Sequence, residues 1–180
     1  QLGKHGERLT LLQQHARSQN VALLYVNQVG GQDELVFDGA SFVMNADLSI
    51  AQQLPDWEEA LVLTQWEKWD GQWVCLPGDR HELDPRPADI YNAMVLGLRD
   101  YVNRNRFPGI VLGLSGGIDS ALSAAVAVDA LGAARVWCVM MPSRFTSQDS
   151  LDDAVACARL LGVRSIILAE QGGLLRPLVA

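Results

Sequence analysis

Eight consecutive residues near the middle of the chain combine the residue types that bind an anion. This segment, called the glycine loop below, consists of Gly113, Leu114, Ser115, Gly116, Gly117, Ile118, Asp119 and Ser120. Adjacent glycines let backbone N–H groups approach a ligand closely, and the two serine hydroxyls can donate further hydrogen bonds. A concave row of amides at a helix N-terminus suits a phosphate. Asp119 would repel a phosphate unless its carboxylate holds a metal ion that itself binds the phosphates.

Apolar runs on both sides of the glycine loop indicate the elements that hold it. The run 110–112 precedes the loop and predicts a short buried strand, and the alanine-rich run 121–131 follows it and predicts a helix. The loop is therefore expected at the turn from strand to helix.

The spacing of the loop can also be compared with that of other known motifs. A Walker A loop needs Gly-Lys-Ser/Thr at its end, and a dinucleotide fingerprint needs G-x-G-x-x-G; the loop has neither. The nucleophile elbow G-x-S-x-G fits residues 113–117, but it requires an acid and then a histidine downstream. All three histidines, His5, His15 and His81, lie upstream. A glycine turn with a structural role alone leaves the concentration of small and polar residues unexplained.

The letters of the loop also match a known motif. Residues 115–120 read S-G-G-I-D-S and resemble the S-G-G-x-D-S pyrophosphate loop of ATP pyrophosphatases. Those enzymes cleave ATP between the α and β phosphates and adenylate a substrate. The resemblance implies that residues 113–120 bind ATP and that Asp119 positions Mg²⁺. Several activities share this motif, so the rest of the chain must narrow the choice.

Composition limits the class of protein. The chain has 180 residues, a length that allows one domain or parts of two. Of these residues 49% are apolar, so a sizeable core can be buried. Its net charge of -7 argues against a nucleic-acid partner. No run of about 18 apolar residues predicts a membrane span, and the start lacks a signal-peptide pattern. Cys75, Cys138 and Cys157 form no C-x-x-C pair, so zinc and a disulfide framework are not expected, and a cytoplasmic setting fits.

The first half of the chain is predicted to hold one helix and several strands. Helical spacing, continuous apolar runs and the Asp38-Gly39 turn signal carry these predictions. The predicted elements are a helix over 5–19, a strand over 21–26 buried on both faces, a turn over 30–33, a hairpin with strands 35–37 and 41–44, and a strand over 60–65.

A second resemblance lies in this half. Residues 25–39 read YVNQVGGQDELVFDG and resemble the late part of the nitrilase-type glutaminase domain of glutamine-dependent NAD synthetases. Gly3-Lys4 resembles the end of a glutamine-binding segment in that family, which implies that Lys4 contacts the glutamine carboxylate; a solvated surface lysine is the alternative. The family's catalytic cysteine, lysine and glutamate would lie upstream of Gln1, so no catalytic residue is assigned. A start at Gln1 rather than Met suggests a piece of a longer protein.

The second half is predicted to alternate strands and helices. Three prolines and a charge cluster over 77–87 indicate a linker. Asp149, Asp152 and Asp153 fall in the early turns of the last predicted helix, where carboxylates complement the helix dipole. The predicted elements are a helix over 88–103, the strand, loop and helix described above, a strand over 135–141, a helix over 147–161 and a strand over 163–168.

The segment after the strand 135–141 carries a further resemblance. Residues 140–147 read MMPSRFTS and resemble NAD synthetases at the same place in the order of elements. Backbone groups near Met141 would then meet the adenine, and Arg144 a phosphate; alternatively Asp149 holds Arg144 as a loop cation. Because ligands of parallel sheets bind at the carboxyl ends of the strands, this segment and the glycine loop are expected at one edge.

Together these patterns predict an α/β chain in two parts. Residues 1–78 would be the C-terminal part of a nitrilase-like α/β sandwich, 79–87 a linker, and 88–180 the N-terminal part of a doubly wound, parallel-sheet ATP-pyrophosphatase domain of the adenine nucleotide alpha hydrolase-like type. Both domains are expected to be incomplete. The resemblance implies a homo-oligomeric enzyme that uses ATP and Mg²⁺ to amidate deamido-NAD to NAD, with ammonia from glutamine. Another ATP-pyrophosphatase amidotransferase, such as one making GMP, and an ATP-binding fragment without turnover are the alternatives.

Overall fold

A computed structural model describes residues 4–168 and 175–177 of the chain. These residues form helices α1–α4, strands β1–β11 and one short 3-10 helix. In chain order they are α1 (Lys4–Gln19), β1 (Leu23–Tyr25), β2 (Val29–Gln32), β3 (Leu35–Asp38), β4 (Phe42–Met44), β5 (Ile50–Gln53), β6 (Trp66–Trp69), β7 (Gln72–Cys75), α2 (Ala88–Arg104), β8 (Ile110–Gly113), α3 (Ile118–Leu131), the 3-10 helix (Ala133–Arg135), β9 (Val136–Met140), α4 (Gln148–Leu161), β10 (Arg164–Leu168) and β11 (Leu175–Pro177). Within the described ranges, no helix is long and apolar enough to cross a membrane.

The chain divides into two compact units. The first consists of residues 1–30 and 34–93, and the second of residues 31–33 and 94–180. The start of the predicted linker runs alongside β5, because backbone hydrogen bonds join Gly78 to Ala51 and both Asp79 and His81 to Gln53. The domain boundary at 79–87 stays a prediction.

The core of the first unit forms where α1 packs on an antiparallel sheet. The predicted helix over 5–19 is confirmed as α1. The strands of the sheet pair in the order β1-β4-β5. Ala16 of α1 and Phe42 and Met44 of β4 are almost fully buried and form one apolar cluster. A small residue at position 16 lets the helix lie close to the two large side chains of the strand.

A polar network in the first unit connects α1 to the stretch 25–39 that resembles glutaminase domains. The Arg8 guanidinium contacts Asp38 at 2.6 Å and donates to the Tyr25 hydroxyl at 3.0 Å. Asn27 donates to Asp38 at 2.7 Å and to the Gly39 carbonyl at 2.9 Å. Asp38 therefore joins α1 to the loop that follows β1, and charge-assisted hydrogen bonds of this kind are among the stronger ones.

Strand pairing in the first unit corrects the predicted hairpin. β3 pairs with β2, and β4 pairs with β1 and β5, so the strands on either side of Asp38-Gly39 do not pair with each other. Gly39 and Ala40 have positive φ values of 70° and 50° and turn the chain away from β3. The turn predicted over 30–33 lies instead at residues 33 and 34, because residues 30–32 belong to β2.

Two predicted strands of the first unit are also wrong in part. Leu24 and Val26 are 57% and 81% exposed, so the strand over 21–26 is shorter than predicted and is not buried on both faces. Residues 60–65 form no strand, and β6 begins at Trp66. The tight turn at Asp70-Gly71, with φ values of 46° and 84°, sets this register because it pairs β6 directly with β7.

The second unit has the predicted alternation of strands and helices. β8, β9 and β10 pair in parallel, and β11 adds an antiparallel strand, giving the order β11-β10-β9-β8. α2, α3 and α4 match the predicted helices within a few residues. Along α2, Val95, Leu96 and Val102 are buried, whereas Met94 and Tyr101 are exposed.

The core of the second unit forms between the parallel strands and helices α3 and α4. Small alanines on the helices allow close approach to the branched and sulfur-containing side chains of the sheet. The buried cluster consists of Leu114, Ala124, Ala127, Val136, Cys138, Met140, Ala154, Ala158 and Val163.

Neighbouring methionines provide a test of this core. Met140 is 2% exposed and Met141 is 68% exposed. Met140→Ala should destabilise the protein by about 2–5 kcal/mol because it leaves a cavity among packed side chains. Met141→Ala should change the free energy of unfolding by about 0.5 kcal/mol or less. Urea unfolding of both variants measures this, and equal losses would contradict the assigned core.

Candidate functional site

The glycine loop lies at the carboxyl end of β8 and leads directly into α3. The Leu114 amide donates to the Val139 carbonyl at 2.9 Å, which extends the β8–β9 pairing by one residue. The Leu114 side chain is 3% exposed, so this residue can offer a ligand only its backbone. The remaining loop residues follow the strand at the edge where parallel α/β sheets bind their ligands.

The two loop serines are linked by a directional chain of hydrogen bonds. The Gly117 amide donates to Ser115 Oγ at 3.3 Å, and Ser120 Oγ donates to the Gly117 carbonyl at 2.9 Å. The two serine oxygens are 3.0 Å apart. Because each hydroxyl has one proton, both contacts form together when Ser120 donates to the Gly117 carbonyl and Ser115 donates to Ser120. Without a ligand, the loop therefore holds both hydroxyls in one defined arrangement.

The first turn of α3 has amides that find no acceptor in the described part of the chain. Gly117 occupies the N-cap position, and no side chain caps the helix. Ala121 donates to the Gly117 carbonyl at 3.1 Å, but the hydrogen bonds among the described residues do not use the amides of Ile118, Asp119 and Ser120. These N–H groups, together with the positive end of the helix dipole, can hold an anion.

Gly116 is the point at which the loop touches the neighbouring helix. Its φ is +84°, a region that favours glycine. A Cβ added there would overlap the Ser150 carbonyl group, with the carbonyl carbon at 2.8 Å and the Cα at 2.9 Å. Both the backbone conformation and the space around it therefore require glycine.

A second loop lies beside the first and connects β9 to α4. A Cβ on Gly113 would come within 3.8 Å of the Met141 methyl group, so the two loops are neighbours. The Ser143 amide donates to Thr146 Oγ1 at 2.9 Å and closes a turn that leads to α4. The Arg144 guanidinium lies 4.8 Å from the centre of the Phe145 ring. Among the ion pairs of the described residues there is none between Arg144 and Asp149, so the alternative that Asp149 holds Arg144 lacks its expected contact.

Asp119 is the carboxylate nearest the anion-binding amides in sequence. It lies in the first turn of α3 and is exposed. The described part of the chain contains no group of three or more His, Cys, Asp or Glu side chains suited to a metal ion. A single carboxylate still fits Mg²⁺, which commonly takes one or two protein carboxylates and completes its shell with phosphate oxygens and water.

The remaining candidate groups are placed as follows. Lys4 begins α1, and its ammonium contacts the Glu7 carboxylate at 2.6 Å; its neighbour Gly3 lies outside the described residues. Burial raises the pKa of the Cys75 and Cys138 thiols, and Cys157 raises that of Cys138 further. A raised pKa keeps a thiol protonated and weakly nucleophilic, which agrees with assigning it no catalytic role.

Sequence reasoning missed the contact between Gly116 and Ser150. The loop motif requires glycine for a ligand or for positive φ, but it does not reveal a helix packed behind it. The one available signal was Ser147 before a helical pattern, which is typical of an N-cap. In the structure Ser147 is the N-cap of α4, and its hydroxyl accepts from the Ser150 amide.

Known proteins match most of this chain. The NAD synthase family model matches residues 90–171. A glutamine-dependent NAD(+) synthetase of Rhodobacter capsulatus is 57% identical over 145 residues, covering 79% of this chain and 26% of the relative. That of Acinetobacter baylyi is 44% identical over 168 residues, covering 91% of this chain and 30% of the relative.

A solved structure gives the same result. The glutamine-dependent NAD+ synthetase of Acinetobacter baumannii, in complex with ADP, superposes with a TM-score of 0.86 at 44% identity. The match covers 94% of this chain and 32% of that one, so the chain spans about a third of the length of the proteins it matches. By sequence and by fold, the chain matches a part of the glutamine-dependent NAD(+) synthetases.

Proposed function

We propose that this chain supplies the ATP-binding loop of an enzyme that amidates deamido-NAD to NAD. The observation that carries the proposal is the uncapped first turn of α3, with its free amides beside Ser115 and Ser120. The ADP complex of the Acinetobacter baumannii relative supports a nucleotide as the ligand. No observation favours the alternative amidotransferase that makes GMP.

In the proposed reaction, the nicotinate carboxylate of deamido-NAD attacks the α-phosphorus of ATP. The bond from that phosphorus to the bridging oxygen breaks, and pyrophosphate leaves with its electron pair. Ammonia then attacks the acyl adenylate, AMP departs and NAD results after loss of a proton. The difficult part is the charge that develops on the departing pyrophosphate, and fixed hydrogen-bond donors stabilise such charge without reorganising.

The glycine loop is proposed to hold that pyrophosphate. The amides of Ile118, Asp119 and Ser120 point along the start of α3, where negative charge is favoured. Ser115 can redirect its hydroxyl proton to a phosphate oxygen by rotation about its Cβ–Oγ bond. No protein nucleophile is needed, and catalysis comes from orientation and electrostatics.

The proposal also assigns the residues at the edge of the loop. Asp119 would hold Mg²⁺, which would supply positive charge that offsets the phosphate oxygens. Arg144 has no ion-pair partner among the described residues and is exposed, so its guanidinium is available to a phosphate. Backbone groups near Met141 would meet the adenine.

The glutamine side of the reaction remains a proposal for the longer protein. Lys4 would contact the glutamine carboxylate. Its ammonium would then bind glutamine in addition to the Glu7 carboxylate or in place of it. The segment Tyr25–Gly39, fixed through Asp38, would belong to the glutaminase part. A cytoplasmic location and a homo-oligomeric assembly belong to the same proposal.

Product analysis tests the function. The longer protein that contains this chain, purified and incubated with ATP, Mg²⁺, deamido-NAD and ammonium, should form NAD, AMP and pyrophosphate in equal amounts. Ammonium bypasses glutamine hydrolysis, so the glutaminase residues are not needed for this assay. Thermal stabilisation by ATP without NAD formation would contradict the enzymatic proposal and leave a nucleotide-binding chain.

Replacing Asp119 tests its proposed metal role. Asp119→Asn keeps the side chain's size but removes its charge, so NAD formation should fall by roughly a hundred- to thousandfold. Asp70→Asn, in the exposed β6–β7 turn, removes the same charge away from the loop and should leave the rate unchanged. If Asp119→Asn left both the rate and its dependence on Mg²⁺ unchanged, the metal assignment would be wrong.

Gly116 tests the shape of the loop. Gly116→Ala combines strain from positive φ with overlap on the Ser150 carbonyl group, so it should weaken ATP binding at least about tenfold. Gly132→Ala introduces the backbone strain without the overlap, since φ there is +80° and an added Cβ would have no atom within 4 Å. Isothermal titration with ATP compares the two, and equal affinities would show that the space behind Gly116 does not matter.

A further inference from the structure

The glycine loop is supported from behind by the backbone of α4. The peptide group of Ser150 lies against the Cα of Gly116, within contact distance of any added Cβ. By contrast, a Cβ on Gly117 would meet only the Ser115 hydroxyl, at 3.4 Å, and one on Gly113 only the Met141 methyl group, at 3.8 Å. Those neighbours are side chains that can move. The backbone of α4 cannot move in the same way, so it limits where Gly116 can lie.

The position of that backbone depends in turn on one N-cap. Ser147 has extended φ and ψ values of -68° and 153°, and its hydroxyl accepts from the Ser150 amide at 3.2 Å. The hydroxyl oxygens of the two serines are 2.9 Å apart. The Ser143–Thr146 turn delivers the chain to this cap through the Thr146 amide, which donates to the Ser143 carbonyl at 3.0 Å. Ser147 thus fixes the turn of α4 that contains the contact.

We propose that Ser147 is a positioning residue for the glycine loop. It caps α4, the cap holds the Ser150 peptide, and that peptide holds Gly116 in the arrangement that presents the α3 amides. Ser147 acts through this contact rather than by touching the phosphates. The part of the inference that concerns ATP rests on the proposed function, while the part that concerns the loop does not.

Linkage sets the size and the direction of the effect. If ordering of the first turn of α4 favours the binding-competent loop, ATP binding must favour that ordered turn to the same extent. The coupling cannot exceed the contribution of the cap itself, and loss of a serine N-cap shifts such an equilibrium by about fivefold. Ser147→Ala should therefore weaken ATP binding by up to about fivefold and should not abolish it.

Hydrogen exchange without nucleotide tests the structural part. The protected amides to follow are those of Gly117, which bonds to Ser115, and Ala121, which bonds to the Gly117 carbonyl. Ser147→Ala should speed their exchange by up to about fivefold, and Ser147→Thr, which keeps a capping hydroxyl, should restore the original rates. Gly162→Ala is the matched control, because it strains the C-terminal end of the same helix. There φ is +64°, and an added Cβ would have no atom within 4 Å.

ATP titration of the same variants tests the functional part. The dissociation constant for ATP should rise for Ser147→Ala, recover for Ser147→Thr and stay unchanged for Gly162→Ala. Unchanged loop exchange in Ser147→Ala, or an equal change in Gly162→Ala, would overturn the positioning role. If the original protein failed to bind ATP, the proposed function would fall, while the exchange rates would still decide the role of Ser147.

Discussion

The site depends on backbone N–H groups in the first turn of α3 that find no acceptor among the residues the structure describes. Helix α4 begins at the same edge of the sheet, after the neighbouring strand, and Ser147 caps it. In α3 the cap position holds Gly117, which has no side chain to bond the amides. Since capping residues normally satisfy these groups, the glycine at the cap of α3 leaves that helix open to an anion, in contrast to the capped start of α4.

The parallel sheet brings the parts of this site together. β8 and β9 are paired neighbours, and their register places Gly113 opposite Val139, so the loops that follow both strands leave from one edge. The glycine loop can then rest on α4, and the serine pair can close the loop on itself without a ligand. A ligand therefore meets donors that are already arranged, which lowers the cost of binding.

Local patterns in the sequence predicted the second unit well and the first unit only in part. Strand, glycine turn and helix follow one another along 110–131 with neighbouring partners, so the order along the chain nearly determines the sheet. In the first unit, β4 pairs with β1 and β5 rather than with β3, and apolar content cannot indicate such distant partners. The exposed residues Leu61 and Leu63 show the same limit, because an apolar run alone predicts neither pairing nor burial.

For the candidate site, the sequence indicated the residue types but not their support. The motif predicted the serines, glycines and Asp119, because phosphate chemistry requires those types in a short loop. Neither the support behind Gly116 nor the direction of the Ser115–Ser120 hydrogen bond can be read from one-dimensional spacing, since both depend on how two loops pack.

Isotope exchange between pyrophosphate and ATP is the most direct test of the central claim. If the glycine loop holds pyrophosphate while an adenylate forms, labelled pyrophosphate should enter ATP when deamido-NAD is present and ammonia and glutamine are absent. Omission of deamido-NAD should stop the exchange. Release of ADP and orthophosphate in place of that exchange would contradict cleavage between the α and β phosphates, and with it the proposed role of the loop.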